Sequence, residues 1–421
     1  MKYCARVLEI NAQFLYIPGC MIISFDDSMA HTTEVKIVRT SQGVDLGKLR
    51  ETHEIYKEVV HDQISLDDAM QQLDEIEKRK QRYNPWLLVV MYGFASASVG
   101  PFAFGARPID LPIAFVLGSL LGIMQLIVAP KSDLYSNIFE VSAAVLTSFL
   151  ARAFGSMQNG EIFCFSALAQ SAIALILPGY TVLCGSLELQ SKNIVAGSVR
   201  MVYAVIYSLF LGFGITIGTS FYGGIDPNAT SQVSCQNTTP SWFPFVFVPP
   251  FTLCLIIINQ GKWKQVPVML LISFVGYVVN HFSAIRFASN AQIANTLGAL
   301  AVGVLANLYS RLFHGFAAAT LIPAIFVQVP SGLAASGSLV SGVTSANQIT
   351  HNKSNGTLSN GTTTVSNGTQ AGGVGGIDIN STAFNVGYSM IQVAIGITVG
   401  LFLSALVVYP FGKRRSGLFS F

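Results

Sequence analysis

Charge is what this sequence has least of. Of its 421 residues only 11% are Asp, Glu, Lys or Arg, while 51% are hydrophobic. A soluble domain carries about 25% charged residues. That shortage excludes a water-soluble fold for most of the chain, and a mean hydropathy of +0.54 assigns it to lipid. The net charge is only +3, so no surface for nucleic acid is offered. Catalytic signatures are missing too. The absence of G-x-x-x-x-G-K-[ST] excludes a Walker-type ATP drive, and neither G-x-S-x-G nor H-E-x-x-H occurs. His53 and Glu54 approach the last pattern, but Lys57 stands where its second histidine belongs, so they read as a solvated helix face. The six cysteines (Cys4, Cys20, Cys164, Cys184, Cys235 and Cys254) lack C-x-x-C or paired spacing. They read as neither a disulfide framework nor a zinc site, and no metal or cofactor is expected. No cleavable signal peptide of the usual form is read at the start.

What the chain does have is repetition. Leu177-Pro178-Gly179 is followed by Gly185-Ser186-Leu187 and by Gly214-Ile215-Thr216-Ile217-Gly218. Val329-Pro330 is followed by Gly337-Ser338-Leu339 and by Gly396-Ile397-Thr398-Val399-Gly400. The two prolines are 152 residues apart, and Ser136-Asn137 and Ser289-Asn290, which each open an apolar run, are 153 apart. A fixed offset across several landmarks marks an internal repeat.

Residues 1–84 hold most of the charge and read as a small α+β domain. Ala12–Phe25 and Thr33–Arg39 are β-prone, with a turn at Pro18-Gly19. Asp45 caps a helix to about His61, and Ser65-Leu66-Asp67-Asp68 begins another to about Arg82. Beyond them, runs of about 20 apolar residues are long enough to span a bilayer as helices. Ten windows qualify: 86–105, 111–129, 137–155, 162–183, 197–221, 242–260, 266–284, 290–309, 315–335 and 386–410. The predicted fold is thus an all-α polytopic membrane protein of about ten helices with a small α+β cytosolic domain in front.

Topology follows from charge. With the front domain cytosolic, Lys78, Arg79, Lys80, Arg82, Lys131, Lys192, Lys262, Lys264, Arg311, Lys413, Arg414 and Arg415 all fall inside. Few basic residues (Arg107, Arg152, Arg286 and Lys353) fall outside, and Arg152 reads as interfacial. Both termini are then cytosolic. The sequons at Asn228, Asn237, Asn352, Asn355, Asn360, Asn367 and Asn380 all fall in the loops after helices five and nine, which this topology places outside. Five helices per repeat is odd, so the two halves have inverted topology, the architecture of secondary transporters. The chain therefore divides into a cytosolic domain (1–84), a first five-helix module (85–223), an outer loop (224–241), helices six to nine (242–340), a disordered glycosylatable loop (341–385), a tenth helix (386–412) and a basic tail (413–421).

Candidate pathway residues follow from the cost of polarity in lipid. Pro178-Gly179 interrupts helix four, freeing backbone groups that can line a cavity, and Pro330 is its counterpart. Glu140 could carry a coupling proton, though it lies within a turn of the interface. Gln170, Asn295 and Gln328, with Gln125, Asn280, His281, Asn307, His314 and Gln392, can hydrogen-bond a polar solute or one another. Glu188 reads as lying in the inner loop after the break. Gly214/Gly218 and Gly396/Gly400 are G-x-x-x-G pairs, read as packing contacts between the halves.

Ala5-Arg6-Val7-Leu8-Glu9-Ile10, Tyr16-Ile17-Pro18-Gly19-Cys20-Met21, Gly43-Val44-Asp45-Leu46-Gly47-Lys48-Leu49 and Leu177-Pro178-Gly179 resemble the threonine/serine exporter (ThrE-type) family, and more narrowly its fungal branch of pheromone-regulated membrane proteins. The resemblance implies a ten-helix, two-module exporter of threonine, serine or similar small polar metabolites. Its partners are then a small polar substrate, a coupling proton or the membrane potential, and the lipid bilayer, with room for a homo-oligomer. Members of that family carry more sequence ahead of Ala5, so the front domain is expected to be shortened. Ala324 follows Pro323 where a second Pro-Gly would be expected. The rival readings are a non-transporting protein of mating or cell-surface signalling and, last, a membrane-embedded enzyme.

Overall fold

The computed structural model describes residues 2–328 and 379–409, apart from 28–31, 40–42, 161, 227–228, several positions between 231 and 241, 288–290 and 314. The front begins with a short helix, α1 (Lys2–Val7), absent from the sequence reading. An antiparallel sheet of β1 (Ala12–Ile17), β2 (Cys20–Asp27) and β3 (Thr32–Arg39) follows, in that order. Gly19 turns the first hairpin at a φ of 85°, a left-handed conformation that favours glycine. Asp45 caps α2 (Leu46–Val60) by accepting from the Lys48 amide at 2.8 Å. Ser65 caps α3 (Leu66–Lys78) through the Asp68 amide. These helices pack through Ile55, Ala69 and Ile76.

The membrane part follows as α4 (Pro85–Ala103), α5 (Leu111–Ile123), a short α6 (Asp133–Ser136), α7 (Phe139–Gly155), α8 (Phe165–Ile173), α9 (Gly179–Gln190) and α10 (Ile194–Ile225). After them come α11 (Phe243–Ile258), α12 (Val266–Arg286), α13 (Ala291–Phe313), α14 (Ala317–Gln328) and α15 (Ile379–Val408). Helix occurs in all ten apolar windows, but six of the described helices are long and apolar enough to cross a membrane, or seven if the bent pair α8–α9 is one span. The others are shorter. Helix α11 has 16 residues and carries Pro249-Pro250 inside it, and α14 is described over 12, with 329–335 of its window outside the described residues. The last helix starts at Ile379, inside the stretch read as disordered, and so takes in the Asn380 sequon.

Glycine sets the helix spacing. A Cβ on Gly214 would lie 2.8 Å from the Ala144 Cβ and 3.0 Å from the Val141 carbonyl, and one on Gly218 would collide with the Val145 carbonyl. So α10 rides directly on α7. Gly396 stands the same way against the Gln292 carbonyl, at 3.1 Å, and Gly400 against the Thr296 carbonyl and the Leu300 amide. Gln292, Thr296 and Leu300 each lie 151 positions after Val141, Val145 and Phe149. These seams join helices inside each half, not the halves to one another as the sequence reading had it. The halves meet elsewhere. Ala95 and Val99 of α4 pack with Val248, Phe251 and Leu255 of α11 and with Val327, while Leu183 and Leu187 of α9 join the core of Ile272, Ala299, Val302 and Ile397.

The front domain is fastened to the second half. Leu46 is fully buried among Ile256, Val266, Met269 and Ala319, and its amide donates to the Asn259 carbonyl at 2.9 Å. A Cβ on Gly47 would lie 2.8 Å from the Gln260 carbonyl. Glu51 holds Lys262 at 3.0 Å and Arg79 at 2.7 Å, and the His53 ring stacks 4.1 Å from Phe316. The end of the membrane part remote from this domain is closed by a Cys164–Cys235 disulfide (Cα–Cα 5.7 Å). This corrects the reading of six unpaired cysteines: 71 positions separate the two, too far for any local motif to reveal. Arg152, read as interfacial, lies in the last turn of α7, is buried within the protein, and donates to the Thr219 carbonyl at 2.7 Å and the Thr230 carbonyl at 3.1 Å, tying the following loop across the ends of α7 and α10.

Two predictions follow. Gly218→Leu and Gly400→Leu must push a helix pair apart, so each should destabilise by about 1–3 kcal/mol or more, read as a lowered melting temperature in detergent; unchanged melting would refute the seams. Burial alone would raise the Glu51 pKa, but Lys262 and then Arg79 outweigh it, leaving the carboxyl below its ordinary value. A depressed carboxyl lends stability above its unfolded pKa of about 4.3 and loses it as pH falls through the folded value. Acidification should therefore lower the hydrogen-exchange protection of α2 relative to the intrinsic rate at each pH, and Glu51→Gln should weaken that pH dependence.

Candidate functional site

Proline breaks the fourth apolar window. Helix α8 tightens into a 3-10 turn over Ala174–Ile176, and Leu177 is extended (ψ 137°). Pro178 then opens α9. The two arms, Phe165–Ile176 and Gly179–Leu189, are inclined by 51°. Proline has no N–H to continue the ladder, so the carbonyls ahead of it are released. Gly179 is the first residue of the second arm. Tyr180, the second residue of α9, stacks on Phe326 of α14, with ring centroids 5.6 Å apart and planes 16° apart. Pro330, the counterpart of Pro178, lies outside the described residues. The broken element at Pro178 thus meets the α14 segment close to Gln328.

Two residues past Phe326 is an amide cluster. Asn280 Nδ2 on α12 donates to Asn295 Oδ1 on α13 at 3.0 Å and to Gln328 Oε1 on α14 at 2.8 Å. Asn295 is 4% exposed and Gln328 2%. Gln328 Nε2 is buried and finds no acceptor among the described residues. Two glycines make room for this side chain. A Cβ on Gly276 would lie 2.8 Å from Gln328 Nε2, and one on Gly298 would collide with its Oε1. The three hydrogen-bonding groups are neutral amides, so the cluster can present a donor and share acceptors without placing a net charge in lipid. His281, next to Asn280, faces aromatic rings instead, with Phe245 at 4.9 Å and Tyr277 at 5.9 Å.

The other candidates lie apart from this cluster. Gln170 is buried in α8 and donates to Ser166 Oγ at 2.8 Å, a bond within its own helix turn. Glu140 is half-buried in the first turn of α7, near enough to Tyr203 and Tyr207 of α10 to interact electrostatically. Of the sequons, Asn380 falls in the first turn of α15, and Asn228, Asn237, Asn352, Asn355, Asn360 and Asn367 lie outside the described residues.

A second polar centre was not foreseen. Glu188 is on helix α9, not in a loop, and both its oxygens accept from Arg200 Nε of α10 at 3.0 Å. Arg200 Nη2 donates to the Tyr16 hydroxyl of β1 at 2.7 Å. The signal in the sequence was Arg200 itself, a cation six residues into a long apolar helix.

Residues 1–222 match the family model described as "Putative threonine/serine exporter", and residues 244–407 match "Threonine/Serine exporter, ThrE". Among curated proteins, the chain is 56% identical to an uncharacterised protein of Schizosaccharomyces pombe, over 100% of this chain and 54% of that one. It is 52% identical to the pheromone-regulated membrane protein 10 of Candida albicans, over 100% of this chain and 37% of that one. For the protein of that name from Pichia sorbitophila the identity is 51%, over 100% and 41%. The chain thus spans roughly a third to a half of the length of these relatives. No solved structure matches.

The amide cluster generates a stability test. Asn280→Ala removes the donor shared by Asn295 and Gln328, leaving both oxygens buried, at a cost of about 1–3 kcal/mol. Melting temperatures of Asn280→Ala, Gln328→Ala and the double variant should be non-additive; additive losses would mean that the amides act separately.

Proposed function

Because the chain belongs to the threonine/serine exporter family, we propose that it is a secondary active transporter exporting threonine, serine or similar small polar metabolites by gradient-coupled alternating access. Family membership implies transport of a small molecule across the bilayer, not catalysis of a reaction. One observation carries the finer reading: the broken element at Pro178 meets α14 through Tyr180 and Phe326, with the Asn280–Asn295–Gln328 amides alongside. Secondary transporters bind near the midplane, between repeats, at discontinuous helices. Neutral amides suit a solute that brings its own hydroxyl, ammonium and carboxylate groups, because they pair with each without a fixed charge. The equivalent seats of the two glycine pairs support two inverted five-helix modules.

Sidedness belongs to this proposal. The front domain contacts Lys262, beside which the sequence carries Lys264, a cluster of the kind kept on the cytosolic side. The disulfide closes the remote end, as an oxidising compartment allows. Glu140 is the candidate for a coupled proton. A second reading, a membrane protein of mating or cell-surface signalling, is favoured by the pheromone-regulated character that names the relatives.

Uptake of labelled threonine and serine into proteoliposomes, with and without imposed pH and potential gradients, tests the proposal. Gradient-dependent flux is expected, reduced at least tenfold in Gln328→Leu and made independent of the pH gradient in Glu140→Gln. Absence of flux from a folded preparation would overturn transport of these substrates. Deleting residues 341–378, which leaves α15 whole, should spare transport but abolish a signalling role.

A further inference from the structure

The front domain touches both halves of the membrane part, and the two attachments are unequal. On the second half the hold is broad: buried Leu46, the backbone bond to Asn259, the Glu51–Lys262 ion pair and the His53–Phe316 stack. Gln260 Oε1 adds two more bonds by accepting from the Arg82 and Tyr83 amides at 3.1 and 3.3 Å. On the first half the contact centres on one tyrosine. Tyr16 of β1 accepts from Arg200 at 2.7 Å and lies with its ring 5.9 Å from the guanidinium carbon. Arg200 in turn grips Glu188 through both carboxylate oxygens. Both side chains are mostly shielded from water, at 14% and 17% exposure.

Glu188 stands on the arm that follows the Pro178 break. That arm packs on α15 of the other half, where Val182 meets Ala394, and its Leu183 and Leu187 enter the second-half core. It is therefore the moving part best placed to shift when the halves rock. Apart from the segment that leads into α4, the domain reaches the first half through the Tyr16–Arg200 contact, and this contact must give way when α9 and α10 move against the broad hold on the second half.

We propose that Tyr16, Arg200 and Glu188 form a releasable latch by which the front domain restrains α9 and limits turnover. The proposal rests on the transport reading for its consequence, but the latch itself is a statement about α9. Opening it breaks the Tyr16–Arg200 hydrogen bond while Arg200 stays paired with Glu188, so no charge is abandoned in the membrane. The latch acts on the rate of opening, not on the amide cluster, so substrate affinity is left alone.

Cys184 reports on the latch. It is a free, half-buried cysteine one helical turn from Glu188, near enough to feel its charge and that of Arg200. The experiment measures its alkylation by N-ethylmaleimide in the full chain carrying Cys4→Ser, Cys20→Ser and Cys254→Ser, with the disulfide left intact. Tyr16→Phe keeps the ring and deletes only the hydroxyl. It should raise the alkylation rate on the order of tenfold, the value of one charge-assisted hydrogen bond. In proteoliposomes it should raise maximal threonine or serine flux with KM unchanged. Arg200→Lys, which keeps the charge but loses the planar fork, should move both readouts in the same direction. Unchanged alkylation in both variants, or a changed KM with unchanged maximal flux, would overturn the latch. If wild-type protein carries no flux while Tyr16→Phe still exposes Cys184, the transport reading fails and the latch stands.

Discussion

Inside a bilayer every backbone N–H and C=O must find its partner within the protein, and the architecture of this chain follows from that requirement. It makes continuous helix the default and makes any interruption expensive. The interruption at Leu177-Pro178 is therefore the position from which the rest of the membrane part is best understood. It is tolerated because it is not exposed to lipid. Ile176 and the whole of α8 are buried, Tyr180 is roofed by Phe326, and Leu183 and Leu187 dock into the core of the other half. The break turns one span into two arms, and the second arm belongs structurally to both halves.

The same economy governs side-chain polarity. Near the meeting of the two halves the polar groups are amides, which cost less to bury than charges. Charges are held toward the helix ends and are partnered. Arg200, near the start of α10, pairs with Glu188 near the end of α9; Arg152, in the last turn of α7 beside the far end of α10, satisfies two carbonyls. Arg200 and Thr219 are separated by roughly 30 Å along the helix at 1.5 Å per residue, about the thickness of the hydrocarbon core. Glycine does the complementary work. It brings α10 onto α7 and α15 onto α13 closely enough that backbone meets backbone, and it opens space around Gln328.

Much of this was legible in order along the chain. Pro178 could be read because proline lacks a donor wherever it stands, and the caps at Asp45 and Ser65 because their partners are three residues away. The glycine pairs could be read as close-packing residues but not assigned to a seam, since the choice of neighbour is a tertiary fact. Asn295 and Gln328 were visible as costly polar residues in apolar runs. Their joining through Asn280 was not, because three helices must pack before the amides meet. Cys164 and Cys235 were hidden for the same reason. The window at 242–260 holds a shorter helix than its hydropathy suggests, because hydropathy registers apolar residues and is blind to the Pro249-Pro250 pair.

The placement of the front domain links these layers. A soluble domain that merely delivered the chain to the membrane would need one attachment, and would make it through the segment leading into α4. Instead α2 buries Leu46 completely against α11, α12 and α14, and β1 reaches across to α10. The domain therefore spans the boundary between the halves on one face, while the Cys164–Cys235 bridge stiffens the first half on the other. One face is thus braced by separable contacts and the other by a covalent bond. The asymmetry comes from chemistry: hydrogen bonds and ion pairs exchange with water at little net cost, and a disulfide does not.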